Sequence, residues 1–215
     1  MNFRAENWIP PFLAERREQG LERRLVAMPR AGGKLELDGQ TFLNFASNDY
    51  LDLCRHSRVI AGARSALEGY GAGAGASRLV SGNLPIHEEL EGRLARLKGY
   101  PAALVMGSGF LANLGLIPTL VGPGDTVYID RLAHASLIDA ALLSRARIRR
   151  FRHNDADHLA GLLSRSAMGD GRRLIVSESV FSMDGDRAPL DALIGLAETH
   201  GAMVLIDEAH ATGVL

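Results

Sequence analysis

Asp207 and His210 are the two residues of this 215-residue chain whose types and spacing most clearly suggest chemistry. They are three residues apart, at the end of the apolar run 202–207. A carboxylate in that place can keep a heteroaromatic ring nitrogen protonated through a charge-assisted hydrogen bond, and the histidine can contact a nearby phenolic oxygen. The alternative is an aspartate that caps the following turn beside a solvated histidine.

Gly107, Ser108, Gly109 and Phe110 precede a predicted helix. Small residues at a helix N-terminus leave backbone N–H groups and a hydroxyl accessible, which suits a phosphate group. A tight strand-to-helix turn would explain these residues equally well. The chain contains no G-x-x-x-x-G-K-[ST] loop, so the phosphate would not belong to a Walker-type nucleotide site.

His134 follows a predicted strand, and its flat imidazole could stack on a cofactor ring, although a lone histidine is more often structural. His153, Asp155 and His158 have residue types that bind metals. Because they lie where a charged strand runs into a helix, we interpret them as a helix-capping turn and predict no metal site. Cys54 has no positioned base nearby in sequence and is interpreted as a packing residue.

The elements that must position these residues alternate between strands and helices. Five short apolar runs are predicted strands, at 102–106, 126–130, 147–151, 173–177 and 202–207, with helices between them at 111–121, 136–143, 156–165 and 190–200. The alternation predicts an α/β fold with a mostly parallel sheet and helices on both faces. Ligands bind beyond the carboxyl ends of such strands, so Ser108, His134, Ser182 and Asp207 are expected at one edge of the sheet.

The residues ahead of this sheet divide into shorter predicted pieces. In chain order these are an amphipathic helix over 5–26 interrupted near Pro10-Pro11, a hairpin around Asp38-Gly39, a helix over 58–68, a glycine-rich stretch over 69–83, and a helix over 84–97 capped by Asn83. We predict two parts, an N-terminal helix and hairpin segment over 1–45 and a partial large domain over 46–215.

The composition excludes several classes of protein. A net charge of −1 gives no general attraction to nucleic acid or anionic membranes, and the arginines of 145–152 are interpreted as a solvated edge. No apolar run reaches the ~18 residues of a membrane span, and the charged N-terminus is not typical of a signal peptide. One cysteine fits a reducing compartment. We therefore expect a cytoplasmic protein.

A phosphate cradle, a carboxylate for a ring nitrogen and a stacking imidazole together suit a phosphorylated heteroaromatic cofactor. Pyridoxal 5'-phosphate (PLP) fits better than a dinucleotide, because no G-x-G-x-x-G fingerprint follows the first predicted strand.

Several blocks, in this order and spacing, resemble the α-oxoamine synthase family of fold-type I PLP enzymes. They are Ser47-Asn48-Asp49-Tyr50-Leu51, Gly109-Phe110-Leu111-Ala112-Asn113, His134-Ala135-Ser136, Phe181-Ser182-Met183-Asp184-Gly185-Asp186 and Asp207-Glu208-Ala209-His210-Ala211-Thr212-Gly213. The resemblance runs from about Leu21 to the end of the chain. It implies a partial fold-type I large domain preceded by an N-terminal helical segment.

The resemblance also implies roles for individual residues. The residues that would bind PLP are Ser108, Gly109 and Phe110 at its phosphate, His134 against its ring, Asp207 at its ring nitrogen, and Ser182 and His210 near its phenolic oxygen. Asn48 would face the substrate, His134 would help to position it, and Arg23 would bind the carboxylate of an acyl chain. The residues implied to take part in catalysis are His134, Asp207 and His210.

Within the family, His153-Asn154-Asp155 and Ala188-Pro189-Leu190 are most similar to the member that condenses L-alanine with pimeloyl-CoA or a pimeloyl carrier protein, with loss of CO₂, to form 8-amino-7-oxononanoate. The alternatives are a glycine C-acetyltransferase, a 5-aminolevulinate synthase, an acyltransferase with another acyl chain, or a non-catalytic dimerisation or binding fragment. The family implies a homodimer.

The lysine that holds PLP in fold-type I enzymes follows the Asp-x-x-His block in this family. The chain ends at Leu215, shortly after that block, and its two lysines, Lys34 and Lys98, both precede it. We therefore expect a fragment of a longer protein, without activity on its own.

Overall fold

The computed structural model describes residues 5–31, 33–165 and 171–215. They form two compact units, of which the first ends at His56 and the second spans Ser57–Leu215. The domain division predicted after residue 45 stays a prediction. Within the described residues, no helix combines the length and apolar character needed to cross a bilayer.

The first unit contains one helix and a small antiparallel sheet. After a 3-10 turn over Ala5–Trp8, its elements are α1 (Ile9–Glu18), β1 (Arg30–Ala31), β2 (Lys34–Leu37) and β3 (Gln40–Leu43), with strand order β1-β2-β3. The hairpin between β2 and β3 is confirmed. Its two turn residues, Asp38 and Gly39, both have positive φ angles, 52° and 76°, as the right-handed twist of a two-residue hairpin requires.

The prediction of one long helix over 5–26 has the wrong bounds, because the α-helix spans only Ile9–Glu18. The two adjacent prolines lie in the first turn of α1 rather than breaking it, because the first-turn N–H groups need no intrahelical acceptor. Gly20, in the left-handed region with φ 67°, ends the helical run. Described residues 21–29 have no helical structure.

The second unit holds the remaining elements. They are α2 (Ser57–Tyr70), α3 (Pro85–Lys98), α4 (Gly109–Leu120), β4 (Thr126–Asp130), α5 (Ala135–Leu143), β5 (Arg147–Phe151), α6 (Ala156–Arg165), β6 (Arg173–Glu178), α7 (Leu190–His200) and β7 (Met203–Asp207). The four strands are all parallel, in the order β5-β4-β6-β7. The predicted parallel α/β architecture is therefore confirmed.

Helices cover both faces of this sheet, because alternate strand residues point in opposite directions. One buried face joins Val127 and Val176 to Ile117 of α4 and Leu137 of α5. The other face joins the adjacent strand residues Tyr128 and Ile175 to Leu159 and Leu163 of α6 and to Leu193 of α7. The core thus fixes β4, β6 and β7 and the loops that leave them.

The predicted strand over 102–106 is wrong, since these residues form no strand in the structure. Side chains satisfy backbone groups of this segment: the N–H of Val105 donates to Glu91 Oε1 at 2.8 Å, and its carbonyl accepts from Arg78 at 3.1 Å. Leu104 and Met106 remain exposed. An apolar run becomes a strand only beside a partner strand, which the local sequence cannot specify.

The predicted cap of α3 is also wrong. The N-cap residue is Leu84 rather than Asn83, and its N–H donates to His87 Nδ1 at 3.0 Å. Asn83 instead accepts from the guanidinium of Arg78 and donates to Glu88.

Candidate functional site at the carboxyl ends of the strands

The candidate site begins where β6 and β7 end side by side. Glu178 and Asp207 are the last residues of these strands and face each other in the parallel register. The carbonyl of Asp207 accepts from the N–H of Ser179 at 2.9 Å, which holds the two strand exits together. Two carboxylates are therefore placed next to each other at one edge of the sheet.

The two carboxyl groups have different environments. Glu178 is 3% exposed, whereas Asp207 is half-buried. Burial raises the pKa of Glu178, the hydrogen bond from the His134 N–H opposes this effect, and the negative charge of Asp207 adds to the increase, so the pKa lies above its usual value. Asp207 is the more exposed of the two carboxyl groups.

Asp207 is connected to helix α4 through Asn113. Asn113 Nδ2 lies 2.9 Å from Asp207 Oδ2 and 2.9 Å from Ser136 Oγ. The other carboxylate oxygen, Oδ1, accepts from the N–H of Ala209 at 2.9 Å. Because both oxygens are bonded, the carboxylate has a fixed orientation.

His134 leaves β4 and caps helix α5. Its Nδ1 lies 2.7 Å from Ser136 Oγ and accepts from the N–H of Ser136 at 3.2 Å. Its backbone N–H donates to Glu178 Oε1 at 2.6 Å. The structure therefore links His134 to Asp207 through Ser136 and Asn113, as well as to the neighbouring strand end through Glu178.

Ser108, Gly109 and Phe110 form the N-terminus of α4. The Oγ of Ser108 accepts from the N–H of Leu111 at 3.2 Å, so Ser108 is the N-cap. The N–H groups of Gly109 and Phe110 have no intrahelical acceptor, as in the first turn of any α-helix. Asn113 lies one turn further along the same helix, which couples this N-terminus to Asp207.

Ser182 and His210 flank the two carboxylates. The N–H of Ser182 donates to Glu178 Oε2 at 3.3 Å, so Glu178 joins the turn that carries Ser182 to the one that carries His134. The side chain of Ser182 is exposed, and His210 is half-buried in the turn after β7.

Two of the three predicted substrate residues lie in the first unit. Arg23 and Asn48 both have exposed side chains. Their predicted roles stay predictions.

Lys98 is held near the end of β7. Its ammonium group forms an ion pair with Glu208, the residue after Asp207. This contact connects the last turn of α3 to the strand exit.

The three residues considered as metal ligands, His153, Asp155 and His158, do not come together in one cluster. Asp155 caps α6, with its Oδ1 accepting from the N–H of His158 at 2.7 Å. His153 instead lies between Asp130 Oδ1 at 3.0 Å and Asp186 Oδ2 at 2.8 Å.

His153, Asp184 and Asp186 bring ligand-type atoms within 4.8 Å of one another. Burial lowers the pKa of His153, but its hydrogen bonds and charge interactions with Asp130 and Asp186 outweigh that effect and raise the pKa overall. Both ring nitrogens of His153 lie within hydrogen-bonding distance of a carboxylate, so we interpret the imidazole as a hydrogen-bonded bridge between Asp130 and Asp186 rather than as a metal ligand. The prediction of no metal stays a prediction.

Sequence reasoning assigned no role to Asn113 or Ser136. One signal was present: Asn113 is the only charged or amide side chain within the apolar helix sequence GFLANLGLIPTL, and it lies one turn before buried Ile117. A polar residue on the buried face of a helix requires a hydrogen-bonding partner.

The chain is similar to a known protein family and to curated relatives. The family model described as aminotransferase class I and II matches residues 40–215. The 8-amino-7-oxononanoate synthase of Methylobacterium sp. (strain 4-46) is 52% identical over 197 residues, which cover 91% of this chain and 52% of that protein.

Two solved structures extend the comparison. A serine palmitoyltransferase from S. paucimobilis with a bound PLP–myriocin aldimine has a TM-score of 0.84 and 32% identity, covering 95% of this chain and 52% of that one. An 8-amino-7-oxononanoate synthase from Francisella tularensis has a TM-score of 0.61 and 29% identity, covering 76% of this chain and 44% of that one.

The chain belongs to the class I and II aminotransferase family and has the predicted fold-type I fold of PLP-dependent transferases. Its resemblance to 8-amino-7-oxononanoate synthase is confirmed by curated relatives of that name at about 50% identity. The chain spans about half the length of the curated relatives it matches.

Proposed function

We propose that the protein containing this chain is a PLP-dependent acyltransferase that makes 8-amino-7-oxononanoate from L-alanine and pimeloyl-CoA or a pimeloyl carrier protein. In this reaction the α-carbon of alanine bonds to the thioester carbonyl carbon, the thiol leaves, and the alanine carboxylate is released as CO₂. The observation that carries the proposal is the hydrogen-bonded run from Asp207 to His134 beside the N-terminus of α4.

The residues at the strand ends fit PLP by the chemistry of their donors and acceptors. A phosphate needs several N–H donors, which Gly109, Phe110 and the capping Ser108 offer at a helix end with favourable dipole. A protonated pyridine nitrogen needs an oriented carboxylate, which Asp207 provides. A Cβ added at Gly109 would meet no other atom within 4 Å, so the approach to this turn is open.

When bound, PLP supplies an electron sink for the carbanion at the α-carbon of the amino acid. Asp207 would keep the ring nitrogen protonated, and His134 would stack against the ring and orient the substrate. Ser182 and His210 would contact the phenolic oxygen. Glu178 would hold the turns that carry His134 and Ser182.

The substrates and partners are part of the same proposal. Asn48 faces the amino-acid substrate, and Arg23 pairs with the distal carboxylate of the pimeloyl chain, because a guanidinium binds a carboxylate through two parallel hydrogen bonds. The protein acts as a homodimer. Its single cysteine, Cys54, is consistent with a cytoplasmic location.

Product analysis tests the proposal. The full-length protein is incubated with PLP and, separately, with L-alanine plus pimeloyl-CoA, glycine plus acetyl-CoA, glycine plus succinyl-CoA, and L-serine plus palmitoyl-CoA. Mass spectrometry should detect a condensation product with the first pair, and a pimeloyl carrier protein is tested beside the CoA ester. A product from another pair alone would assign a different member of the family, and no product from any pair would favour a non-catalytic role.

Two substitutions provide a matched control for the site. Asp207→Asn should remove most of the activity, because a neutral amide does not stabilise a protonated ring nitrogen. Asp191→Asn, at an exposed position in the first turn of α7, should leave the activity unchanged.

A further inference from the structure

We infer that Asn113 is a positioning residue that orients the Asp207 carboxylate and, through Ser136, sets the tautomer of His134. The inference rests on the proposed function for its consequence in catalysis. The hydrogen bonds on which the inference rests join groups of the protein and do not involve the cofactor.

Asn113 uses both of its amide N–H groups. One donates to Asp207 Oδ2 and the other to Ser136 Oγ, each at 2.9 Å. A carboxylate only accepts hydrogen bonds, so turning the amide over would place its oxygen against Asp207. Asn113 is 8% exposed and Ser136 is 1% exposed, so water cannot readily replace either bond. The orientation of the amide is therefore determined by Asp207.

The orientation of the Asn113 amide also affects the hydrogen bonds of the His134 imidazole, through Ser136. Because Ser136 Oγ accepts from Asn113, its own O–H is free to donate to His134 Nδ1, 2.7 Å away. The N–H of Ser136 also points to Nδ1, at 3.2 Å. A ring nitrogen that accepts from two donors carries no proton, so neutral His134 is protonated at Nε2.

Two properties of the site follow. The Asp207 carboxylate is held on one side by Asn113 and on the other by the Ala209 N–H, which fixes its remaining lone pairs for a ring nitrogen. The imidazole of His134 is held at Nδ1 and presents an N–H donor at Nε2. Asn113 itself need not touch the cofactor or the substrate, so its effect is exerted through Asp207 and His134.

The test is the tautomer of His134 measured without PLP. The protein is labelled with ¹⁵N-histidine, and long-range ¹H–¹⁵N correlation spectra are recorded at a pH where the imidazole is neutral, with His134→Gln used to assign the signal. The wild type should show the Nε2–H form. Asn113→Leu keeps the branched shape but removes both donors, so the Ser136 hydroxyl can then accept from an Nδ1–H. An Nδ1–H signal should therefore appear beside the Nε2–H signal, which the Ser136 N–H still favours.

Ile117→Val is the matched control, because it removes packing from the same buried face of α4 without touching a hydrogen bond. It should lower stability but leave the tautomer unchanged. An Nδ1–H form in the wild type, or equal tautomer populations in the wild type and Asn113→Leu, would overturn the inference. If Asn113→Leu does not fold, Asn113→Ser, which cannot donate to both Asp207 and Ser136, takes its place in this comparison.

A PLP titration separates this inference from the proposed function. Asn113→Leu should raise the PLP dissociation constant about tenfold, the scale on which loss of an orienting partner weakens binding in metal sites. Ile117→Val should not change it. If wild-type full-length protein bound no PLP, the proposed function would fail, whereas the tautomer result obtained without PLP would stand.

Discussion

Glu178 Oε1 accepts a hydrogen bond from the backbone N–H of His134 at 2.6 Å, across 44 residues of sequence. Its other oxygen accepts from the N–H of Ser182 at 3.3 Å. One buried carboxyl group therefore fixes two of the turns that form the candidate site. The same side chain would be costly to bury without these donors.

Replacing Glu178 should destabilise the protein in a graded way. Glu178→Leu leaves two backbone N–H groups without an acceptor and should lower the free energy of unfolding by about 1–3 kcal/mol. Glu178→Gln keeps one acceptor oxygen and should cost less. Urea unfolding measures both. Glu68→Gln, at an exposed position on α2, should stay within about 0.5 kcal/mol of the wild type, and an equal effect for all three variants would contradict the prediction.

The stability of the protein should fall as the pH rises above 6.5 because of His153. Its pKa is raised in the folded state from the usual 6.5 by Asp130 and Asp186, against the opposing effect of burial. A group with a raised folded pKa contributes fully below its unfolded value and loses this contribution as the pH rises through the folded value. The free energy of unfolding should therefore decline over that range.

His153→Asn should flatten this decline, since asparagine does not titrate. His200→Asn, at the C-terminal end of α7, serves as the control and should keep the wild-type slope. Denaturant unfolding at closely spaced pH values measures the slopes. A decline of equal size in His153→Asn and the wild type would show that another group is responsible.

Acid should weaken the contact between Arg78 and Glu91. The hydrogen bonds from Arg78 and from the N–H of Val105, together with the charge of Arg78, lower the pKa of Glu91 from 4.5 to about 2, against the opposing effect of burial. A group with a lowered folded pKa contributes stability above its unfolded value and loses it as the pH falls through the folded value. Part of the stability should therefore disappear between pH 4.5 and about 2.

Arg78→Met should make the unfolding free energy less dependent on pH in this acid range. Arg93→Met removes an exposed pair with Glu89 on the helix that carries Glu91 and should leave the pH dependence as in the wild type. Unfolding curves from pH 5 downward provide the comparison. The prediction fails if the two variants have the same acid slope.

Gly82 is required for a close approach of the backbone within the glycine-rich stretch. A Cβ at this position would lie 1.9 Å from the carbonyl oxygen of Ala76. Gly82→Ala should therefore cost at least about 1–3 kcal/mol, as for other overpacked sites. Gly73→Ala, where a Cβ would meet no atom within 4 Å, should be neutral or slightly stabilising. Thermal unfolding of the two variants distinguishes them, and equal melting temperatures would contradict the prediction.

Local patterns predicted the helices and strands that a short segment of chain can specify. The strands at 126–130 and 147–151 and the helix at 156–165 have the predicted bounds, because their apolar spacing and turn residues lie within the segments themselves. The general rule for parallel sheets predicted His134, Ser182 and Asp207 at or just beyond the ends of β4, β6 and β7, where the structure has them, whereas Ser108 caps α4 after a segment that forms no strand. The fold class was therefore accessible from sequence, while the roles of the candidate residues stay predictions.

The failed strand prediction involves partners outside the segment. The run 102–106 has the composition of a strand. However, the carbonyl and N–H of Val105 form hydrogen bonds with the side chains of Arg78 and Glu91 instead of with a neighbouring strand. The tertiary structure alone decided the bond between Asn113 and Asp207, 94 residues apart, and the facing of Glu178 and Asp207 in the β6–β7 register. Sheet order and register arise from the packing of whole elements, so they determine which polar groups meet, while the sequence determines which polar groups are present.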